Sequence, residues 1–151
     1  MEKETNIIEL KDRPCVITYL GFLQNTITRM AGNSSNIKAL IAVVYTIFIT
    51  IIIAVKKFER YWWFGFIIAF IGIIMDSYYL AFERMYRKKY NDFNKELNCG
   101  KINENDIYNM NPKITYLKYE VFAVMLECIN SFSVIGYYIL FLLITILIKF
   151  I

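Results

Sequence analysis

Asp76 is the one charged side chain inside the longest apolar stretch of this sequence, residues 61–82. In a membrane-spanning helix it would lie about 9 Å inside the hydrocarbon boundary. A charged carboxylate there costs roughly 2.5–3.5 kcal/mol unless it faces protein or a wet cavity. Arg29 and Lys38 are the expected cationic partners. Asp76 is therefore either a pore-lining or gating group, or a structural group bonded to Ser77, a tyrosine hydroxyl or Arg29.

Other reactive chemistry is scarce. The chain has no histidine, which removes the commonest general base and the commonest metal ligand. Its three cysteines are far apart, and neither a metal-binding spacing nor a nucleotide-binding loop is present. We expect no catalytic residue, no metal site and no cofactor. With a net charge of +4 and no extended basic stripe, nucleic acid is not an expected partner.

A stripe of small residues runs along the same stretch as Asp76. Its members are Gly65, Ala69, Gly72 and Asp76, at steps of four, three and four, and Tyr79 and Glu83 continue it. Small residues on one face allow a second helix to approach closely. A less regular stripe in the preceding apolar run comprises Ala39, Ala42, Thr46, Thr50 and Ala54. The two stripes either meet each other in a hairpin or face a second copy of the chain.

Three long apolar runs, residues 39–55, 61–82 and 128–148, must position these groups. As helices they would be roughly 25–33 Å long, close to the thickness of a bilayer core. Hydrophobic residues make up 58% of the chain, and the mean hydropathy is +0.43. We predict an all-α integral membrane bundle with three transmembrane helices in a single domain, residues 1–151.

The predicted elements have the following bounds. An amphipathic or interfacial helix covers 16–36, the first span 37–55, the second span 61–82 continuing to about 97, a cytoplasmic helical segment 98–127, and the third span 128–150. A cluster of capping residues at 33–36 favours a break before the first span. One continuous helix through that cluster is the alternative, and residues 113–151 are either one helix or two.

Lysine and arginine placement predicts the orientation. More positive residues flank the N-terminal side of the first span and residues 83–127 than the short link at 56–60. We therefore expect the N-terminus on the cytoplasmic side of a bacterial inner membrane. The chain lacks the basic stub and short apolar core of a signal peptide, so the first span should act as an uncleaved anchor.

Charged groups outside the spans allow two interpretations each. Glu120 and Glu127 lie seven residues apart and could form an acidic ring in an oligomer, or the wet edge of an interfacial helix. The basic run at 84–89 could bind anionic lipid or a phosphorylated messenger. The positive flank of a transmembrane helix explains the same run.

Two stretches carry a resemblance to known proteins. They are residues 23–34, LQNTITRMAGNS, followed by Lys38, and residues 76–87, DSYYLAFERMYR. This pairing resembles SLATT-type bacterial membrane effectors, which are found beside nucleotide-signalling antiphage systems. The resemblance covers residues 20–90. It implies an effector that perturbs the inner membrane after sensing infection or a small messenger.

The resemblance also gives a shared meaning to the polar residues that flank the inner ends of the first two spans. These are Gln24, Asn25, Arg29, Met30, Asn33, Ser34, Lys38, Asp76, Tyr79, Glu83 and Arg84. They are expected to form one cytoplasmic collar in which Arg29 or Lys38 meets Asp76 or Glu83. A collar that opens would gate a pore, and a collar that stays closed would only fasten the bundle.

Two function hypotheses follow. The first is a homo-oligomeric defence effector that forms or gates an ion-conducting pore, because three helices from one chain enclose no useful channel. Its partners would be the lipid bilayer, further copies of itself, and an upstream sensor protein or nucleotide messenger. The second is a non-conducting membrane anchor or accessory subunit that recruits a partner through residues 83–127. An intramembrane enzyme is disfavoured by the missing chemistry.

Overall fold

The computed structural model describes residues 13–55, 60–101, 107–110 and 117–149. Within these ranges all regular structure is helical and no strand occurs, which confirms the predicted all-α fold. The helices are α1, Pro14–Ala54; α2, Phe64–Asn98; α3, Leu117–Ile129; and α4, Phe132–Ile148.

Helices α1 and α2 form a long antiparallel hairpin. They contain 41 and 35 residues, which corresponds to about 62 and 52 Å of helix. Pro14 opens α1, where its missing N–H costs no helical hydrogen bond. Gly100, with a φ of 67°, follows the end of α2 in the left-handed conformation that glycine adopts most readily. Both helices are longer than the bilayer core, so their paired ends extend beyond it.

The predicted break at residues 33–36 does not occur, because α1 continues through it as one helix. The prediction assumed that a side chain in this run would cap a new helix. The Ser34 hydroxyl instead bonds Asp76 on α2, which removes it from competition for the local backbone. The predicted elements 16–36 and 37–55 are therefore two parts of α1.

Two helices, α1 and α2, are long and apolar enough to cross a membrane. Helix α4, with 17 residues, falls just short of that length by itself and reaches it when it is counted together with α3, from which it is bent by 58° at residues 130–131. Residues 117–149 thus form two helices. The third apolar helix begins at Phe132 and not at 128, so Cys128 lies in the last turn of α3.

The buried side chains form two clusters at different levels of the hairpin. The membrane core joins α1, α2 and α4 and comprises Ile41, Tyr45, Ala69, Val134, Tyr138 and Phe141. The second cluster comprises Val16, Tyr19, Leu23, Phe93 and Leu97, and it joins the first turns of α1 to the last turns of α2. We call this paired segment, residues 14–30 and 84–98, the stalk.

The stalk is closed by residues 107–110. The Tyr19 hydroxyl donates to the backbone oxygen of Asn109 at 2.9 Å, and Lys89 donates to the same oxygen. The Tyr19 ring also meets the rings of Phe93 and Tyr108 edge to face. The predicted amphipathic helix at the N-terminus therefore packs on α2.

A belt of exposed apolar side chains surrounds the membrane core. Its members include Leu40, Val43 and Ile47 on α1, Phe70 and Ile71 on α2, and Leu140, Leu143 and Leu147 on α4. Contiguous apolar surface of this extent is not tolerated in water and is typical of helices in contact with lipid or with other subunits. The belt supports a membrane location.

Candidate functional site

Asp76 lies at the point where three helices meet, and none of its surface is accessible. On α1, the Ser34 hydroxyl donates to the Asp76 Oδ1 atom. One turn along α1, the Lys38 Nζ atom lies 3.3 Å from Oδ2. The 4-residue spacing of Ser34 and Lys38 places both side chains on the α1 face that meets α2. The carboxylate is therefore paired with one cation and one hydroxyl inside the bundle.

Helix α4 is attached to the same cation. Lys38 Nζ donates to the Ser133 hydroxyl at 3.0 Å, and the Tyr137 hydroxyl donates to the Lys38 backbone oxygen at 2.7 Å. The Lys38 side chain keeps 20% of its surface exposed, so its charge is only partly desolvated. We call these five residues, Ser34, Lys38, Asp76, Ser133 and Tyr137, the polar node.

Polar atoms at and beside the node are incompletely bonded. Asp76 Oδ2, Ser77 Oγ and Tyr138 OH are buried, and none has a hydrogen-bond partner in the described part of the chain. The contact of Oδ2 with Lys38 is thus an ion pair without hydrogen-bond geometry. Each unsatisfied buried polar group costs about 1–3 kcal/mol, so the packing of this region carries an energetic cost.

A second polar contact ties α4 to α1 deeper in the membrane core. The Tyr45 hydroxyl donates to the backbone oxygen of Phe141 at 2.6 Å and also bonds the Thr145 hydroxyl. The Tyr45 and Phe141 rings meet edge to face with centroids 4.6 Å apart. The groups in this contact are neutral, so it orients the helices without introducing a charge.

The predicted small-residue stripe of α2 lies in the interior. A Cβ atom on Gly65 would meet Thr145 Oγ1 at 2.7 Å, and one on Gly72 would meet the Tyr138 ring at 2.6 Å. The absence of side chains at these glycines thus lets α4 approach α2. Ala69 is fully buried in the same interface.

The matching stripe on α1 does not meet this surface. Ala39, Thr46, Thr50 and Ala54 are exposed, and of this stripe Ala42 alone packs against the membrane core. Larger residues such as Ile41 and Tyr45 face α2 and α4 instead. Of the two expected arrangements, the meeting of the stripes in a hairpin is wrong. A helix presents only one face to its neighbour, and the bonds from Ser34 and Tyr45 fix which face that is.

The predicted collar is only partly assembled. Lys38 and Asp76 are in contact, whereas Arg29 lies exposed on α1. Glu83 is half-buried and accepts a hydrogen bond from Arg87 Nε at 2.7 Å, the favourable pairing one turn apart. Arg84 is exposed.

The remaining predicted site residues lie outside the polar node. Tyr79 is half-buried, and its ring meets that of Tyr78 edge to face. Glu127 is exposed near the end of α3. The backbone of Glu120 belongs to α3, but its side chain lies outside the described residues, so the acidic ring stays a prediction.

Several residues of the site were not assigned to it from the sequence. Ser133, Tyr137 and Tyr138 were read only as members of an apolar run, whereas Ser34 was already expected in the collar. A hydroxyl at membrane depth favours a hydrogen-bond partner, and this preference is the signal that Tyr137 carries. Among the described residues, no group of three or more cysteine and acidic side chains is placed to hold a metal ion.

Comparisons with protein-family models, with characterised proteins and with solved structures gave no match to this chain.

Proposed function

We propose that this protein is a homo-oligomeric membrane effector in which the polar node holds an ion-conducting pore closed. The proposal includes a third membrane crossing by α4 and a cytoplasmic N-terminus in a bacterial inner membrane. The observation that carries it is the concentration of buried, incompletely bonded polar atoms around Asp76. Such a region favours a second conformation in which the helices separate and water satisfies the same atoms.

A purely structural role fits this site less well. A contact that serves only to hold the helices of a membrane bundle together can be made by neutral groups, such as the hydrogen bond between Tyr45 and Phe141. A buried ion pair often stabilises a folded protein less than apolar packing of similar volume does. Loss of one partner, however, strongly destabilises the protein, because the other charge stays buried without compensation. Lys38 and Asp76 therefore suit a contact that must open in response to a signal.

The exposed stripe of α1 supplies a surface for oligomer assembly. It contains Ala39, Thr46, Thr50 and Ala54, and the hydroxyls of Thr46 and Thr50 bond carbonyls of their own helix at 2.8 and 2.9 Å. Small residues and weakly polar hydroxyls are typical of helix contacts in membranes. Several copies that pack through this face would enclose the channel that one copy lacks.

The stalk supplies a route for the signal. Helices α1 and α2 continue without a break from the stalk to the polar node. A ligand or partner that separates the stalk helices would therefore also displace Ser34 and Lys38 from Asp76. The trigger expected from the resemblance to SLATT-type effectors is a sensor protein or nucleotide messenger produced during phage infection.

The test compares Lys38→Met and Asp76→Asn with wild type under graded induction in bacterial cells, using a voltage-sensitive dye. Both variants remove half of the ion pair, so each should depolarise the membrane at lower expression than wild type. Arg29→Met is the matched control, since it removes an exposed charge from the same helix. The pore proposal fails if both node variants behave like the control at equal protein levels.

The defence role has its own test. Cells that carry the wild-type protein with its neighbouring genes should form fewer phage plaques, and Asp76→Asn should abolish this protection because an unlatched pore no longer responds to the trigger. Equal plaque counts with and without the protein would refute the proposed defence role. They would not contradict the proposed pore.

A non-conducting anchor is the second candidate, and the stalk favours it. The stalk projects beyond the bilayer and carries a closed contact surface of its own, with residues 107–110 docked against it. This candidate predicts intact membrane potential in every variant and a protein partner that is lost when the stalk surface is altered. The dye measurement above separates the two.

A further inference from the structure

A single backbone oxygen in residues 107–110 bridges the two helices of the stalk. The Tyr19 hydroxyl of α1 donates to the Asn109 oxygen at 2.9 Å, and Lys89 Nζ of α2 donates to the same atom. A carbonyl oxygen has two lone pairs, so it can accept from both donors at once. Asn109 therefore connects α1 to α2 from outside both helices. We call residues 107–110 the strap.

The side chains of the strap lie over the same pair of helices. Ile107 and Met110 are half-buried and pack on the buried cluster of the stalk. The Tyr108 ring meets the Tyr19 ring edge to face, with centroids 6.4 Å apart. That cluster takes residues from both helices, namely Val16, Tyr19 and Leu23 from α1 and Phe93 and Leu97 from α2. The strap thus covers apolar surface of both stalk helices, and its departure would expose that surface.

The backbone of the strap is strained at Tyr108. Its φ is 70°, and it is the one non-glycine residue with a positive φ in the described part of the chain. In this conformation the Cβ atom of an L-residue lies too close to the following carbonyl, which lowers its population by about fivefold to thirtyfold. The Tyr108 ring is 54% exposed, so its burial offsets little of this cost. The contacts of Ile107, Asn109 and Met110 must hold the strap against the strain.

We propose that the strap is a releasable clamp on the stalk. When it is docked it holds α1 and α2 together, and its release lets them separate. A strained segment with half-buried side chains opens at a lower free energy than the long helices that it joins. Release also removes one bond from each helix at once, because both bonds end on the Asn109 oxygen. The effect of release on conduction rests on the pore proposed above, whereas the clamp itself does not.

The test is hydrogen exchange of the full-length protein in detergent micelles, read by mass spectrometry at the stalk amides of residues 16–23 and 90–97. Ile107→Ser/Met110→Ser changes the strap and no residue of either helix. It should speed exchange in both helices by about 25-fold, because each half-buried apolar side chain contributes about fivefold. Exchange at residues 66–74, in the membrane core, should stay as slow as in wild type and shows that the variant is folded.

Two matched pairs of variants separate the clamp from a general loosening of the stalk. Tyr19→Phe should speed exchange about fivefold through the lost bond to Asn109, whereas Tyr90→Phe, which removes a hydroxyl from another ring on the same cluster, should not. Tyr108→Val and Tyr108→Asn both remove the ring, but valine disfavours a φ of 70° and asparagine tolerates it. The valine variant should therefore exchange about fivefold faster than the asparagine variant.

Three results would each overturn the clamp. They are unchanged stalk exchange in Ile107→Ser/Met110→Ser, equal exchange in Tyr19→Phe and Tyr90→Phe, and equal exchange in the two Tyr108 variants. The voltage-sensitive dye tests the pore separately, since Ile107→Ser/Met110→Ser should depolarise cells at lower expression than wild type. Faster stalk exchange with an unchanged membrane potential would support the clamp and contradict the pore, so the two failures are distinguishable.

Discussion

Lys38→Met removes the only cation that contacts Asp76 in the described part of the chain and leaves a fully buried carboxylate with the Ser34 hydroxyl alone. Methionine has a similar length and packs well in apolar surroundings, so the change isolates the charge. The variant should be less stable than wild type, because Asp76 loses its compensating charge.

The size of the effect follows from the burial of the two partners. Breaking a buried ion pair by removing one side costs about 3–5 kcal/mol. Asp76 is inaccessible, but Lys38 keeps 20% of its side-chain surface exposed. Partial exposure weakens the attraction that is lost, so we expect a destabilisation near 3 kcal/mol, at the lower end of that range.

The assay is unfolding of the purified protein by sodium dodecyl sulfate in mixed micelles, followed by far-ultraviolet circular dichroism. Asp76→Asn should cost less than Lys38→Met, because its amide can still accept the Ser34 bond while the partly exposed Lys38 reaches water. The double variant should be more stable than the two single effects predict, by about 2 kcal/mol, since no uncompensated charge remains.

Additivity in this cycle would refute the reasoning. If the double variant loses the sum of the two single effects, Lys38 and Asp76 do not act as a pair in the folded protein. Arg29→Met controls for removal of a positive charge from α1, and it should change stability by no more than a surface substitution does.

Two further substitutions test the packing in the same unfolding assay. Gly72→Ala should destabilise by about 1–3 kcal/mol, because its Cβ atom would lie 2.6 Å from the Tyr138 ring; Gly136→Ala, where no atom lies within 4 Å, should be neutral or stabilising. An equal effect of the two alanines would contradict the close approach of α4. Tyr45→Phe should cost about 1 kcal/mol through the lost bond to Phe141, and an unchanged midpoint would show that this bond contributes nothing.

The helical class could be predicted from the sequence because bilayer-length apolar runs leave few other folds. The need of Asp76 for a cation could also be predicted from the hydropathy of the stretch around it. The identity of the cation that contacts Asp76 could not be predicted from the sequence. Arg29 and Lys38 both lie on the expected side, and the choice depends on the rotation of α1 about its axis.

The rotation of α1 about its axis also determines which residues of α1 contact α2, and therefore whether the small-residue stripes meet. Hydropathy does not distinguish Ile41 and Tyr45 from Ala39 and Thr46 as neighbours of α2, because all of them are compatible with a span. The bonds from Ser34 to Asp76 and from Tyr45 to Phe141 select the first pair. Hydrogen bonds between residues 42 and 96 positions apart cannot be read from local spacing.

The helix break at residues 33–36 shows the same limit. Serine and asparagine favour helix ends when their side chains bond the nearby backbone. In this chain a buried carboxylate on another helix competes for the Ser34 hydroxyl, so tertiary structure overrides the local signal.

Planar-bilayer recording of purified Lys38→Met beside wild type tests most directly whether the polar node holds a pore closed. We predict stepwise ion currents from Lys38→Met at protein densities where wild type stays silent, because the variant has lost the cation that pairs with Asp76. Bilayers that remain electrically tight with folded, membrane-inserted Lys38→Met would contradict the account.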